Sequence, residues 1–204
     1  MKKVARAAFL APIGAFLFPA KISGGGAQQP YRGHPLLLWA VAGLGFSTLG
    51  WIVGGFVGSW APRIAGAAGA TALALGLLNR QPRAALLGAV SAAMVSLAAV
   101  QVGQSFFSPL LAWPVAGLVI GVVGAFAFRR RPSRIAFIVA APLLGSVGAV
   151  AGILAIFLIA MGLNDSRGAA QIMLGGAVGF GLLLMAGAAI VGRWDASRAA
   201  GGAS

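Results

Sequence analysis

From Ile135 to Leu163 the chain carries no charged side chain. As a helix this run would be about 43 Å long at 1.5 Å per residue, more than the roughly 30 Å of a bilayer's hydrocarbon core. A soluble domain has no surface on which to place such a segment. Five more runs, 36–57, 64–78, 84–102, 110–128 and 170–192, are equally free of acids and bases. Composition agrees: 60% of residues are hydrophobic and 8% charged, with a mean hydropathy of +0.97, whereas soluble domains carry about 25% charged residues. The 32 glycines follow no Gly-X-Y period and lie inside the apolar runs, so neither collagen nor a disordered linker fits. The pattern predicts an all-α fold, a polytopic integral membrane helical bundle of about six transmembrane helices. The alternative is four spans plus a re-entrant pair, should 64–78 and 84–102 fail to cross.

The organisation that follows has three parts. Residues 1–34 form an interfacial N-terminal segment and a Gly-rich linker, 35–192 the bundle, and 193–204 a short cytoplasmic tail expected to fray. The apolar run from Ala7 to Ala20 is about 21 Å long as a helix, too short to span. It suits a helix lying among the headgroups; a cleaved signal is the second reading.

The distribution of charge decides between them. With six spans and the N-terminus inside, Lys2, Lys3, Arg6, Lys21, Arg32, Arg80, Arg83, Arg129, Arg130, Arg131, Arg134, Arg193 and Arg198 share one side, and only Arg63 and Arg167 fall on the other. That asymmetry is what the positive-inside rule requires, and it expects both termini in the cytoplasm; a composition rich in Ala, Gly and Arg adds the expectation of a bacterial inner membrane. Were Ala7 to Ala20 a span or a signal, every later loop would flip and the rule would be violated. The net charge of +13 therefore reports topology, and nucleic acid is not an expected partner. Tyr31, Trp39, Phe128 and Trp194 are expected in an aromatic belt at the inner ends of the spans, and Trp60, Phe106, Phe107 and Trp113 at the outer ends. Trp51 is expected to be a packing residue within its span.

Chemistry is sparse. There is no cysteine or glutamate, and the ionisable candidates are Asp165, Asp195 and His34. The threading separates Asp165 from the other two across the bilayer, so no nucleophile–base–acid set and no three-ligand metal site is expected. No ionisable residue is expected within a span. The chain reads as a non-enzyme that needs no cofactor.

Three groups of residues are candidate sites. Gly50, Gly54 and Gly58, Gly117 and Gly121, and Gly175 and Gly179 are small-xxx-small faces that let helices approach closely, either inside the bundle or between copies. Pro142, Gly145 and Ser146 mark a possible kink whose exposed carbonyls could line a path for a neutral solute. Arg129, Arg130, Arg131 and Arg134, in a loop next to a span, have the footprint of an anionic-lipid contact. The expected function is a subunit or scaffold of a membrane complex, packing against itself or other membrane subunits through the small-residue faces. The alternative is a small channel or carrier for a neutral or hydrophobic solute.

Overall fold

The computed structural model describes residues 35–58, 60–79, 81–102, 108–126, 128, 130–162 and 169–201, and these form six helices with no strand among the described residues. They are α1 (Pro35–Val57), α2 (Trp60–Leu78), α3 (Pro82–Val102), α4 (Ser108–Ala125), α5 (Arg131–Gly162) and α6 (Ala169–Gly201). The expectations for residues 1–34 and for the turns holding Arg80, Phe106, Phe107, Arg129, Asp165 and Arg167 lie outside the described residues.

Proline sets most of the helix starts. Pro35, Pro62, Pro82, Pro109 and Pro132 each fall within the first three residues of α1 to α5, where the missing N–H belongs to a turn that has no acceptor for it and the fixed φ is already helical. Stops are equally local. At the end of α2 the Asn79 side chain donates to the Leu75 carbonyl at 2.9 Å. The Gln81 N–H donates back to Gly76 at 2.9 Å while its carbonyl accepts from Ala85 at 2.8 Å, so one residue closes α2 and opens α3.

Consecutive helices are antiparallel neighbours, and α6 returns to α1 to close the ring. The end where α2, α4 and α6 finish holds Arg83, Arg130, Arg131, Arg134, Arg193 and Arg198; it is called the basic end below. Within the ring α2 is pressed inward, touching α4 and α6 as well as its sequence neighbours. In the spans of α2 and α6, 61% of residues are buried, against 22% in α3 and α5. The least hydropathic span is thus the most central one. Its Ala and Gly content lowers hydropathy because a helix surrounded on several sides must have a thin waist.

Five helices are long and apolar enough to cross a membrane, and they include both α2 and α3. A re-entrant pair is therefore not needed. The apolar part of α4, Leu110–Ala125, is shorter, yet α4 and the residues after it keep pace with α6. Trp113 packs against Phe180 with the rings tilted and their centroids 5.0 Å apart and lies beside Gly176, while Phe128 lies beside Phe137 at 5.1 Å and reaches Gly192. Gly176 to Gly192 is about 24 Å of helix. These are the helices of a multi-pass membrane protein.

Four expectations need correction. Arg131 to Arg134 are not loop: they form the first turn of α5, whose ladder opens with the Arg134 N–H on the Arg130 carbonyl. Residues 193–201 are not a frayed tail, because α6 continues through them. Trp39, Trp113 and Phe128 are buried inside the bundle and belong to its core, whereas Trp60 is partly buried and Trp194 is 39% exposed. Finally, Arg63 is a residue of α2 and not of the preceding loop, and α3, α5 and α6 likewise take in Arg83, Arg131, Arg134, Arg193 and Arg198, so cations do lie within the helices, near their ends. Trp51, 2% exposed, is the packing residue expected.

Candidate functional site

The glycine faces are occupied by the chain's own helices. Gly50 faces Gly66 and Ala70 of α2, Gly54 faces the Pro62 carbonyl and the Arg63 Cα, and Gly58 lies near the Pro62 ring. Gly117 meets Pro142 and Ala141, and Gly121 meets Ala141 and Ile138, which seats α4 on α5. Gly175 and Gly179 interlock with Gly152 and Gly148 so closely that each Cβ position falls on a backbone carbonyl of the facing helix. The reciprocal pattern is the tightest approach in the bundle, and it needs four glycines where the sequence motif shows two. Gly43 and Gly181 make a similar crossing between α1 and α6, next to which the Ser47 hydroxyl donates to the Ala177 carbonyl at 2.6 Å. These helices associate through small-residue contact because apolar burial gives no net drive inside lipid.

The solute-path candidates are packed too. α5 continues through Pro142 as one helix, and the carbonyl that proline leaves without its helical donor is that of Ile138, on the turn packed against Gly121 of α4. The Ser146 hydroxyl donates to the Pro142 carbonyl one turn back at 2.6 Å. Gly145 is buried under Phe180 and Leu184. Thr48, Thr71 and Ser96 likewise donate to carbonyls four residues earlier, the usual way a hydroxyl is satisfied in an apolar helix.

A small cavity lies elsewhere, near the basic end, between Leu75, Gly76, Asn79 and Gln81 on one side and Gly88, Ile120, Val123 and Gly124 on the other. About 10 Å³ is open to the centre of a water-sized molecule, room for about one water. Gly76, Gly88 and Gly124 bring neighbouring helices close around it; nothing in the sequence pairs those turns of α2, α3 and α4.

The basic end is the most elaborated surface among the described residues. Arg130, Arg131 and Arg134 are exposed, as are Arg193 and Arg198. Arg134 Nε donates to the Phe128 carbonyl at 2.6 Å, which ties Phe128 to the first turn of α5. Buried Ser133 donates to Asp195 Oδ1 at 3.0 Å. Asp195 thus brings a carboxylate from α6 to the first turn of α5, where free N–H groups and the helix dipole favour negative charge. On the next turn of α6 the Arg198 guanidinium lies 3.8 Å from the centre of the Trp194 ring. Sequence reasoning placed Asp195 on the same side as the arginines but missed this latch, because it took 193–204 to be unstructured. The signal available was the spacing of Trp194, Asp195 and Arg198, which sits on one helical side.

Comparison of the chain with models of protein families, with curated proteins and with solved structures found no match.

Proposed function

We propose that the chain is a non-catalytic multi-pass subunit or scaffold of a membrane complex. In this reading it lies in a bacterial inner membrane with the basic end and both termini in the cytoplasm; the bacterial membrane is read from a composition rich in Ala, Gly and Arg. One observation carries the reading: the small-residue faces and the hydroxyls of Ser47, Thr71, Ser96 and Ser146 are all engaged within the bundle. The machinery a carrier would use for a solute is instead structural. Asp195 is engaged by Ser133, which favours a structural role for it over a catalytic one.

Partner contacts in this reading move away from the glycines. α3 and α5 turn Leu87, Val90 and Met94, and Leu143, Val147 and Leu158, outward, and these broad flanks are where a second copy or another subunit packs. Arg130, Arg131 and Arg134, joined by Arg193 and Arg198, hold anionic headgroups at the basic end, which lie within a Debye length of such a cluster. Photo-crosslinking residues at Leu87 and Leu158 are expected to give one discrete protein adduct in intact membranes, while the same group at buried Ala177 gives none. Adducts to lipid only, together with solute flux through reconstituted vesicles above the empty-vesicle rate, would replace this reading with the carrier.

A further inference from the structure

Arg63 is a cation within a helix that the reading above leaves without a task. It is the fourth residue of α2, half-buried, at the end opposite the basic one. Its guanidinium carbon lies 5.7 Å from the centre of the Trp51 ring, within cation–π range. A methyl group on Gly55 would sit 2.8 Å from Arg63 Cζ and 2.9 Å from both terminal nitrogens. Nearly equal distances to those three atoms put the point above the guanidinium plane and not beside its edge. The group therefore lies flat on α1, where Gly55 has no side chain to obstruct it. Trp60 flanks the same ring, its centroid 6.3 Å from that of Trp51.

This seat works against two general tendencies. A cation at the end opposite the arginine cluster runs counter to the charge asymmetry of the chain, and a cation inside a span loses hydration. Flat stacking occupies only the faces of the guanidinium; its N–H donors lie on the rim and stay available in the plane. A rim of paired donors matches two oxygens of one phosphate. Depth fits as well. Trp60 opens α2, at the level where indoles meet headgroups, and Arg63 is about 4.5 Å further in, a distance its own side chain can recover by reaching outward.

We propose that Arg63, seated on Gly55 beside the Trp51 ring, is a binding site for a phosphate group, supplied by a phospholipid of the leaflet at that end of the bundle. The site is independent of the subunit reading and of the basic end.

The test is native mass spectrometry of the full chain in mild detergent, in a background carrying R130Q, R131Q, R134Q, R193Q and R198Q so that the basic end contributes little. The probes are a phosphatidylglycerol, a diacylglycerol of the same chains without phosphate, and inorganic phosphate. The parent is expected to retain the phosphatidylglycerol and not the diacylglycerol. R63Q, and G55A, which keeps the charge but lifts the guanidinium from its seat, are each expected to weaken retention about tenfold. Displacement of the lipid by millimolar inorganic phosphate would keep the phosphate site and name the free anion as its ligand. Retention within about twofold of the parent in both variants, or equal retention of the diacylglycerol, overturns the proposal.

Discussion

A buried hydroxyl in this bundle has two uses, and they differ in what removal would do. Thr71 and Ser96 donate within their own helices, so replacing either by Ala leaves the helix ladder complete and should change stability little. Ser47 crosses from α1 to the Ala177 carbonyl of α6, next to the Gly43–Gly181 crossing. Ser47→Ala should therefore lower resistance to unfolding in bicelles by about 0.6–2 kcal/mol, and Thr71→Ala by clearly less; equal losses would mean that the interhelical bond adds nothing. Glycine positions divide in the same way. Gly54 faces backbone, with the Arg63 Cα 2.8 Å from its Cβ position, so Gly54→Leu must push α2 away from α1. The expected result is loss of folded protein in a thermal shift assay, of the size overpacking produces, about 1–3 kcal/mol or more. Dissociation of an otherwise intact oligomer is not expected.

Among the elements, α5 and α6 are the pair on which the rest leans. Gly148, Gly152, Gly175 and Gly179 bring their backbones together in the span, and Ser133 with Asp195 fastens them again beyond it. The second fastening holds a stretch of α6 that has little apolar burial of its own, since Arg193, Trp194, Ala196, Ser197 and Arg198 are exposed. Asp195→Ala should accelerate amide hydrogen exchange from residue 193 onward while leaving exchange in the span unchanged, the mark of local opening. Ser133→Ala should do so to a smaller degree, and the two together should do no more than Asp195→Ala alone, because the contact that Ser133 loses is one of those that Asp195 makes. Additive acceleration would show that each residue acts through something else.

Viewed as a whole the molecule is asymmetric in charge along its axis, and that asymmetry sets its expected orientation. The absence of cysteine makes this directly measurable. Val57, 79% exposed, lies at the end of α1 opposite the basic end, and Ala200 is exposed near the end of α6. In intact cells V57C should react with a membrane-impermeant thiol reagent and A200C only after permeabilisation. The reverse labelling would invert the assignment of every loop.

Much of this protein can be read without coordinates. Apolar runs of span length and charges confined between them determine a multi-pass helical bundle, because hydrogen-bond satisfaction in lipid leaves a chain of this composition few alternatives. Prolines near the first residues of α1 to α5 and the Asn79–Gln81 turn are likewise local, and local chemistry is visible in sequence. Which partner each small face takes is not local. A small-xxx-small pattern says that a helix will approach closely and is silent on which helix arrives, so only the tertiary structure could assign Gly54 to α2 and Gly179 to Gly148. The same limit hid the central place of α2, the docking of Asp195 on Ser133 and the seat of Arg63 on Gly55. Each is a meeting of residues far apart in the chain or on different helices, and what brings them together is the packing of whole helices, a property that no single segment carries.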